Sequence, residues 1–167
     1  MSLKVWLPLN GDLTNNGIIG TDINSTNTAI STSGKIGSCY TFNGSSSYIL
    51  LETAPFDNTV TEFTYACWFK PTNVHQGCLF SNRTATSSTG ITIFYYTSGQ
   101  ILFDAYDRWQ FTPSTTITAG EWNHLVFTYK KGEKKRFYLN GTLINETTAS
   151  SNAPTTANAT KASIGGS

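Results

Sequence analysis

The chain has 167 residues, of which 13% are charged, and its formal net charge is +1. This length suits one domain with its own core. The near-zero net charge excludes a broad electrostatic field for nucleic acid or for an anionic membrane, and no apolar run is long enough to span a bilayer. We therefore expect neither nucleic-acid binding nor membrane insertion. Because charged residues are about half as frequent as usual, Ser, Thr and Asn must form much of the surface.

Short runs of strand-forming residues, separated by turn residues, follow one another along the chain. The first covers residues 4–9 and ends at a turn of Asn10, Gly11 and Asp12. Residues 14–34 are rich in Asn, Thr, Ser and Gly without helical periodicity, so we expect a long surface connection. The next strands are predicted at 38–42, 48–51, 62–70, 78–81, 91–96, 101–106 and 109–112.

One of these runs, EFTYACWFKP, has a clear inward and an outward face. Successive side chains of a strand point to opposite faces of the sheet, so the run divides into an inward and an outward set. The inward set is Phe63, Tyr65, Cys67 and Phe69, and the outward set is Thr64, Ala66, Trp68 and Lys70. Pro71 ends the run because proline removes a donor from the ladder. The inward set is predicted to lie in the core.

Residues 120–144, GEWNHLVFTYKKGEKKRFYLNGTLI, predict a β-meander. Strands at 122–130 and 134–139 flank a Lys/Gly/Glu turn, and Asn140-Gly141 is a strong hairpin signal because both central residues of a type I′ turn need positive φ. Five of the 11 basic residues lie at 130–136, and without a nucleic-acid motif we interpret them as a solvated loop. A final strand is predicted at 161–164. Many short strands and no helical period indicate an antiparallel sandwich or barrel.

The three cysteines and the N-terminus bear on the cellular compartment. Cys39, Cys67 and Cys78 include no CxxC pair, and their odd number predicts reduced, largely buried thiols. The opening MSLKVWLPLNGD has neither an apolar h-region nor a small-residue cleavage site. We therefore expect synthesis in the cytoplasm without a signal peptide.

Five ordered pieces of the sequence resemble a known family, the laminin G-like domains of the concanavalin A-like lectin/glucanase group. The pieces are GKIG with YTFNG (34–44), FTYACWFKP (63–71), GEWNH (120–124), YLNG (138–141) and IGG (164–166). The resemblance implies an all-β fold, an antiparallel two-sheet β-sandwich of the jelly-roll type, with residues 1–167 as a single domain. Relatives continue past IGG into a closing strand. The sequence therefore leaves open a fragment of a longer protein or a sheet completed by another segment.

The opening residues 4–18, KVWLPLNGDLTNNGI, are similar to the N-termini of such domains in phage and prophage virion proteins of Gram-positive bacteria. This resemblance implies an adhesion role at the virion surface after synthesis in the host cytoplasm. The implied partners are a cell-surface glycan and, alternatively, other virion proteins.

Catalysis must be weighed because the family includes glucanases. Glycoside hydrolysis usually needs two carboxylates about 5 to 9 Å apart, yet no two of the ten acids share a strand face at i and i+2 or i+4, and the signature ExDxxE is absent. His124 matches a family histidine of structural role. We therefore expect a non-catalytic domain. A hydrolase remains the alternative only if two acids from distant strands lie close together in the fold.

Sugar binding is the preferred interpretation, because an aromatic platform beside amides, carboxylates or arginine suits a pyranose. The segment DAYDRWQF (104–111) supplies this mixture at an expected hairpin tip next to Tyr95 and Tyr96. The candidate ligand-binding residues are Tyr106, Asp107, Arg108, Trp109, Tyr96, Asn82, Arg83 and His75. The alternative is that Trp109 and Phe111 are core and the polar pair an ordinary turn.

Asp12 is a weak candidate for a calcium site of the kind that some relatives carry. Turn chemistry explains a single acid in the first turn equally well. The sequence thus predicts a non-catalytic carbohydrate-binding module. A structural or protein–protein interaction domain of a virion fibre is the alternative hypothesis, and a glycoside hydrolase is the third.

Overall fold

Twelve β-strands make up the regular structure of the described chain. The computed structural model describes residues 2–56, 60–73, 76–83, 90–96, 100–105, 117–149 and 159–166. In chain order the strands are β1 Ile23–Thr26, β2 Ala29–Ser31, β3 Cys39–Thr41, β4 Tyr48–Leu51, β5 Glu62–Phe69, β6 Gly77–Ser81, β7 Ile91–Tyr95, β8 Ile101–Ala105, β9 Asn123–Lys130, β10 Lys134–Leu139, β11 Thr142–Thr148 and β12 Ala162–Gly165. Within these residues no helix is long and apolar enough to cross a membrane.

The strands form two larger antiparallel sheets and one small one. The six-stranded sheet has the order β1-β4-β12-β6-β7-β8, the four-stranded sheet has the order β11-β10-β9-β5, and β2 pairs with β3 alone. The expected antiparallel two-sheet sandwich is therefore confirmed.

The core lies between the two larger sheets and is rich in aromatic rings. Phe127 is fully buried and stacks on Phe103 of the other sheet at a ring-centroid distance of 4.3 Å. It also contacts Phe137 at 4.8 Å and Phe63 at 5.7 Å. Offset and tilted ring pairs of this kind add to the free energy gained by burying their area. The Phe103–Phe127 stack joins the four-stranded sheet to the six-stranded one, and the other two contacts pack rings within the four-stranded sheet.

The alternation predicted for residues 62–70 is confirmed. Phe63 is buried, and Tyr65, Cys67 and Phe69 pack against the core cluster. Trp68 remains 44% exposed on the opposite face. The same alternation continues across β9 and β10, whose burial changes at every residue. One face of the four-stranded sheet therefore belongs to the core and the other faces solvent.

The Asn140-Gly141 turn between β10 and β11 has the predicted backbone geometry. Asn140 has a φ of 51° and Gly141 a φ of 82°, as a type I′ turn requires. Asn140 also ties the turn to β9, since its Oδ1 accepts the His124 N–H at 2.8 Å and its own N–H donates to the His124 carbonyl at 2.8 Å.

The N-terminal prediction was wrong in two places. Residues 4–9 do not form a strand. The Trp6 carbonyl accepts the Asn16 N–H at 2.8 Å and the Lys4 carbonyl accepts the Ile19 N–H at 3.1 Å, as isolated hydrogen bonds. Pro8 lacks an N–H and Leu9 adopts a φ of 53°, so the extended run cannot continue. The expected connection at 14–34 contains β1 and β2, whose pairing with β4 and β3 is not visible in local sequence.

The last described strand, β12, lies inside the six-stranded sheet. It pairs with β4 over four residues and meets β6 at Ser163 and Ser81. The predicted strand at 109–112 lies outside the described residues.

Candidate functional site

The solvent face of the four-stranded sheet, here called the outer face, presents four rows of side chains, the outermost of which holds Glu62 and Lys130. Of the other three rows, the first runs Glu146, Arg136, Thr128 and Thr64 from β11 to β5. Its second row runs Leu143, Tyr138, Val126 and Ala66. Its third row holds His124 and Trp68 at the Asn140 turn. The register thus places charged and hydroxyl groups at one end and apolar and aromatic groups toward the other.

A depression of about 280 Å³ opens on the outer face. It is lined by hydroxyl, aromatic and charged residues, namely Glu62, Phe63, Thr64, Thr128, Tyr129, Lys130, Lys134, Arg136 and Tyr138. This set combines the half-buried ring of Tyr138 with hydrogen-bonding groups and charges of both signs. Such a combination suits a small polar ligand such as a saccharide unit.

The charges around the outer-face depression are largely balanced by ion pairs. Arg136 Nε lies 2.6 Å from Glu146 Oε2, and Lys134 Nζ lies 3.2 Å from Glu146 Oε1. Lys130 Nζ lies 2.7 Å from Glu133 Oε1. The basic residues at 130–136 therefore do not form an unpaired cationic patch, and exposed ion pairs of this kind contribute little to stability.

Glu146 lacks the property that a general acid needs. Hydrogen bonds from Arg136, and then from Lys134, lower the pKa of Glu146. A glycosidase acid instead needs a raised pKa so that it holds a proton near neutral pH. Glu146 thus acts as a fixed anion that orients two cations.

Three pieces of the family pattern meet at the third row of the outer face. Trp68 and His124 stack at a ring-centroid distance of 4.7 Å and an angle of 28°. Lys35, from the loop between β2 and β3, places its Nζ 4.9 Å from the Trp68 ring centroid. An ammonium over an indole is an attractive cation–π arrangement. GKIG, the Trp of β5 and the His of β9 are therefore in contact.

The described residues of the predicted ligand site divide between the two ends of the β6-β7 hairpin. Asn82 and Arg83 follow β6, at the end where β7 begins at Ile91. Tyr96 follows the other end of β7, where its N–H donates to the Gln100 carbonyl at 2.9 Å. Because Tyr95 pairs with Ile101 and Ile91 pairs with Ala105, Tyr95 and Tyr96 lie about 13 Å along the strand from the Ala105 end of β8. The expected neighbourhood of Tyr95 and Tyr96 with residues 106–109 stays a prediction, because residues 106–109 lie outside the described part of the chain.

The side chains of these residues have different exposures. Asn82 is 1% exposed, and its Oδ1 accepts the Ile91 N–H at 2.6 Å. Its Nδ2 is buried and finds no hydrogen-bond partner among the described residues. Arg83 is exposed beside it. Tyr96 is half-buried against Phe94, at a ring-centroid distance of 4.9 Å. Asn82 thus secures the start of β7, and Arg83 remains accessible at that end.

Five of the predicted site residues lie outside the described residues: His75, Tyr106, Asp107, Arg108 and Trp109. Their role stays a prediction. Asp12 is exposed and its Oδ1 accepts the Thr14 N–H at 2.8 Å, which is an Asx turn. Among the described residues, no three His, Cys, Asp or Glu side chains form a group that could hold a metal ion.

The two packed antiparallel sheets define the chain as a β-sandwich domain. The family model described as the concanavalin A-like lectin/glucanases superfamily matches residues 43–167. The chain therefore belongs to this superfamily. A search of the curated proteins gives no match.

Several solved structures share the fold at low sequence identity. The binding domain of paraclostridial mosquitocidal protein 1 is similar with a TM-score of 0.74 and 15% identity, covering 98% of this chain and 44% of that one. The binding domain of botulinum neurotoxin serotype D is similar with a TM-score of 0.70 and 10% identity, covering 98% and 42%. A botulinum neurotoxin type C structure, whose cell entry is described as dependent on two ganglioside molecules, gives the same figures. The chain spans less than half the length of each.

Sequence reasoning missed the outer-face depression. Its residues come from the meander and from β5. They were interpreted as determinants of the fold or, for the basic residues at 130–136, as a solvated loop. The sequence signal that could have pointed to this face was the outward set of β5, to which Thr64 and Trp68 were assigned correctly. The alignment of β5 with β9 and of β9 with β10, which brings these side chains together, is a tertiary feature.

Proposed function

We propose that this domain is a non-catalytic carbohydrate-binding module that attaches a phage tail or capsid structure to a glycan of the host surface. The observation that carries the binding role is the outer-face depression, where Tyr138, Thr64, Thr128 and Arg136 provide a ring, two hydroxyls and a guanidinium. This mixture fits the apolar face and the hydroxyls of a sugar.

The phage context rests on the resemblance of residues 4–18 to virion proteins, and the virion surface is the location that this context implies. The structural neighbours offer analogy for attachment to cell surfaces, since they are binding domains of toxins. At this low sequence identity the similarity shows a shared fold alone, so the binding of a glycan must be tested directly.

The test is titration of the domain with host wall polysaccharide and a glycan array, monitored by amide resonances. A bound glycan should shift the Thr64 and Thr128 resonances. Tyr138→Ala should weaken binding by about tenfold, since an aromatic contact contributes up to about 1.5 kcal/mol beyond its buried area and about 1.4 kcal/mol corresponds to that factor. The matched control is Tyr40→Ala, which removes the same side chain on β3, a strand that contributes no residue to the lining of the outer-face depression.

The binding role is rejected if no glycan shifts the outer face at millimolar concentration. It is also rejected if Tyr40→Ala weakens binding as much as Tyr138→Ala. The virion context has its own test. A fluorescent fusion should label Gram-positive host cells and lose that labelling when the wall polysaccharide is stripped. Release of reducing sugar from β-glucan, lost on replacing an acid, would replace the non-catalytic role by hydrolysis.

A second candidate is a structural domain that packs against other proteins of a virion fibre. It is favoured by exposed apolar side chains concentrated in the first 42 residues, namely Leu3, Trp6, Ile18, Ile30, Ile36 and Phe42. Exposed apolar surface of this kind is typical of interaction sites. The oligomeric state with neighbouring domains attached separates the two roles, because a fibre domain should assemble without any glycan.

A further inference from the structure

A second exposed cluster lies on the outer face, beyond the outer-face depression. It consists of Lys35, Trp68 and His124, and we call it the Trp68 cluster. Trp68 and Thr64 point outward from the same strand four residues apart, which is about 13 Å. A short oligosaccharide seated in the depression and running along β5 would therefore reach the Trp68 cluster.

The Trp68 cluster contains side-chain hydrogen-bond donors that no acceptor among the described residues engages. Lys35 carries an ammonium, Trp68 an indole N–H, and His124 an imidazole with an N–H. The salt bridges among the described residues use other cations, namely Lys130, Lys134, Arg136 and Lys161. In the same part of the chain, no side-chain hydrogen bond joins any of the three to a protein acceptor. The aromatic ring attracts the ammonium of Lys35 but does not neutralise its charge.

The loop that carries Lys35 is held in place by backbone contacts. The Gly34 N–H donates to the Gly37 carbonyl at 2.9 Å, and the Ser38 N–H donates to Asn10 Oδ1 at 2.6 Å. An added Cβ at Gly34 would meet the Ser38 carbonyl oxygen at 2.4 Å, so the close approach requires glycine. A cation on a fixed loop loses less conformational entropy when it binds an anion.

We infer that the Trp68 cluster is an anion subsite that takes the acid group of a saccharide, either a carboxylate or a phosphate ester. Hydrogen bonds from a charged donor to a charged acceptor are stronger than neutral ones, and the indole supplies apolar contact for the attached sugar ring. This inference rests on the proposed function and deepens it, because it names the class of glycan as acidic. The depression would hold a neighbouring sugar of the same chain.

A purely structural role is the competing explanation. In that case the cation–π contact of Lys35 with Trp68 would only stabilise the position of the loop against the sheet. The two explanations differ in one respect. If the Lys35–Trp68 contact only stabilises the loop, the domain has no preference between an acidic ligand and a neutral one. An anion subsite prefers the acidic ligand, and salt weakens that preference.

The test uses the whole chain and three defined probes: tetragalacturonate, a tetramer of glycerol phosphate and a neutral galactose tetramer. The indole resonance of Trp68, assigned by its loss in Trp68→Phe, reports binding. We expect at least one acidic probe to shift this resonance and to bind about tenfold more tightly than the neutral tetramer. Lys35→Gln should remove most of that preference, since a bond to a charged group is worth roughly that factor. The two acidic probes distinguish a carboxylate from a phosphate as the ligand group.

Lys4→Gln is the matched control, because it removes the same charge at an exposed position outside both sites. It should leave the preference for acidic probes unchanged. Retained dispersion of the amide spectrum shows that each variant is folded.

The inference is overturned if neither acidic probe moves the Trp68 resonance, or if Lys35→Gln keeps the acid preference. In either case the proposed function survives if the neutral tetramer still shifts the Thr64 and Thr128 resonances and Tyr138→Ala weakens that binding. If acidic probes move Trp68 while the depression never responds to any glycan, the anion subsite stands and the depression fails as the sugar site.

Discussion

At the scale of single residues, burial decides the chemistry of two cysteines. All three cysteines are free. Cys67 packs against the core cluster, and burial raises the pKa of its thiol to about 12. Burial also raises the pKa of Cys78 to about 11. Tyr65, whose hydroxyl donates to the Leu79 carbonyl at 3.3 Å, has a pKa held well above its usual value by the same burial. Because the thiolate is the reactive form, the thiols of Cys67 and Cys78 are therefore poor nucleophiles.

We expect Cys67 and Cys78 to resist thiol reagents in the folded protein. At pH 8 a thiol with a pKa of about 11 is ionised in only about one molecule in a thousand. In a Cys39→Ser background, Ellman's reagent should react with both remaining thiols in denaturant but with neither in the folded chain on the same timescale. Rapid reaction of two thiols in the folded protein would contradict the assignment.

The raised pKa of Cys67 also sets a direction for stability against pH. The folded state favours the neutral thiol, so this contribution is fully present below the ordinary pKa of 9.0 and is lost as pH rises toward about 12. The free energy of unfolding should therefore fall in this window. The fall should be smaller in Cys67→Ala, which has no thiol at this position to ionise.

At the scale of elements, the turns were the most predictable part of the chain. Asn140-Gly141 was identified from two residues because few side chains tolerate positive φ, and both residues adopt it. The neighbouring strands followed from their alternation. By contrast, β1 and β2 are short and polar, and their partners β4 and β3 lie farther along the chain. Nothing in local sequence favours such strands over a connection.

Gly141→Ala should destabilise the domain by about 1–2 kcal/mol, the cost of a left-handed conformation for a residue with a Cβ. Gly141 has a φ of 82°, and an added Cβ would meet no atom within 4 Å, so the loss is a backbone effect alone. Denaturant unfolding of the variant measures it. Gly20→Ala is the control, because its Cβ also meets nothing and its φ is not in the strained range. Equal losses in the two variants would refute the explanation.

At the scale of the whole molecule, the six-stranded sheet is assembled out of sequence order. The last described strand, β12, lies between β4 and β6, so it joins two parts of the sheet that are separated in sequence. A sheet with its central strand removed has two unpaired edges in its interior. Residues 159–166 therefore hold the six-stranded sheet together.

A chain shortened to residues 1–149 should lose cooperative unfolding and should expose Ile49 and Leu51 of β4 to hydrogen exchange. Both side chains are buried in the intact protein. A synthetic peptide of residues 159–167, added in trans, should restore protection if the missing strand is the cause, and a scrambled peptide should not. Cooperative unfolding of the shortened chain with an unchanged denaturant slope would show that β12 is dispensable.

The sequence by itself determined the class of fold, the inward face of β5 and the hairpin at Asn140, because alternation and turn geometry are local properties of the chain. It also placed Trp68 on the solvent side. Only the tertiary structure decided which outward side chains meet. The outer-face depression joins β5, β9 and β10, and the Trp68 cluster adds Lys35 from a loop more than thirty residues earlier. The physical reason is that strand register and sheet order depend on contacts between distant segments, which no local pattern encodes.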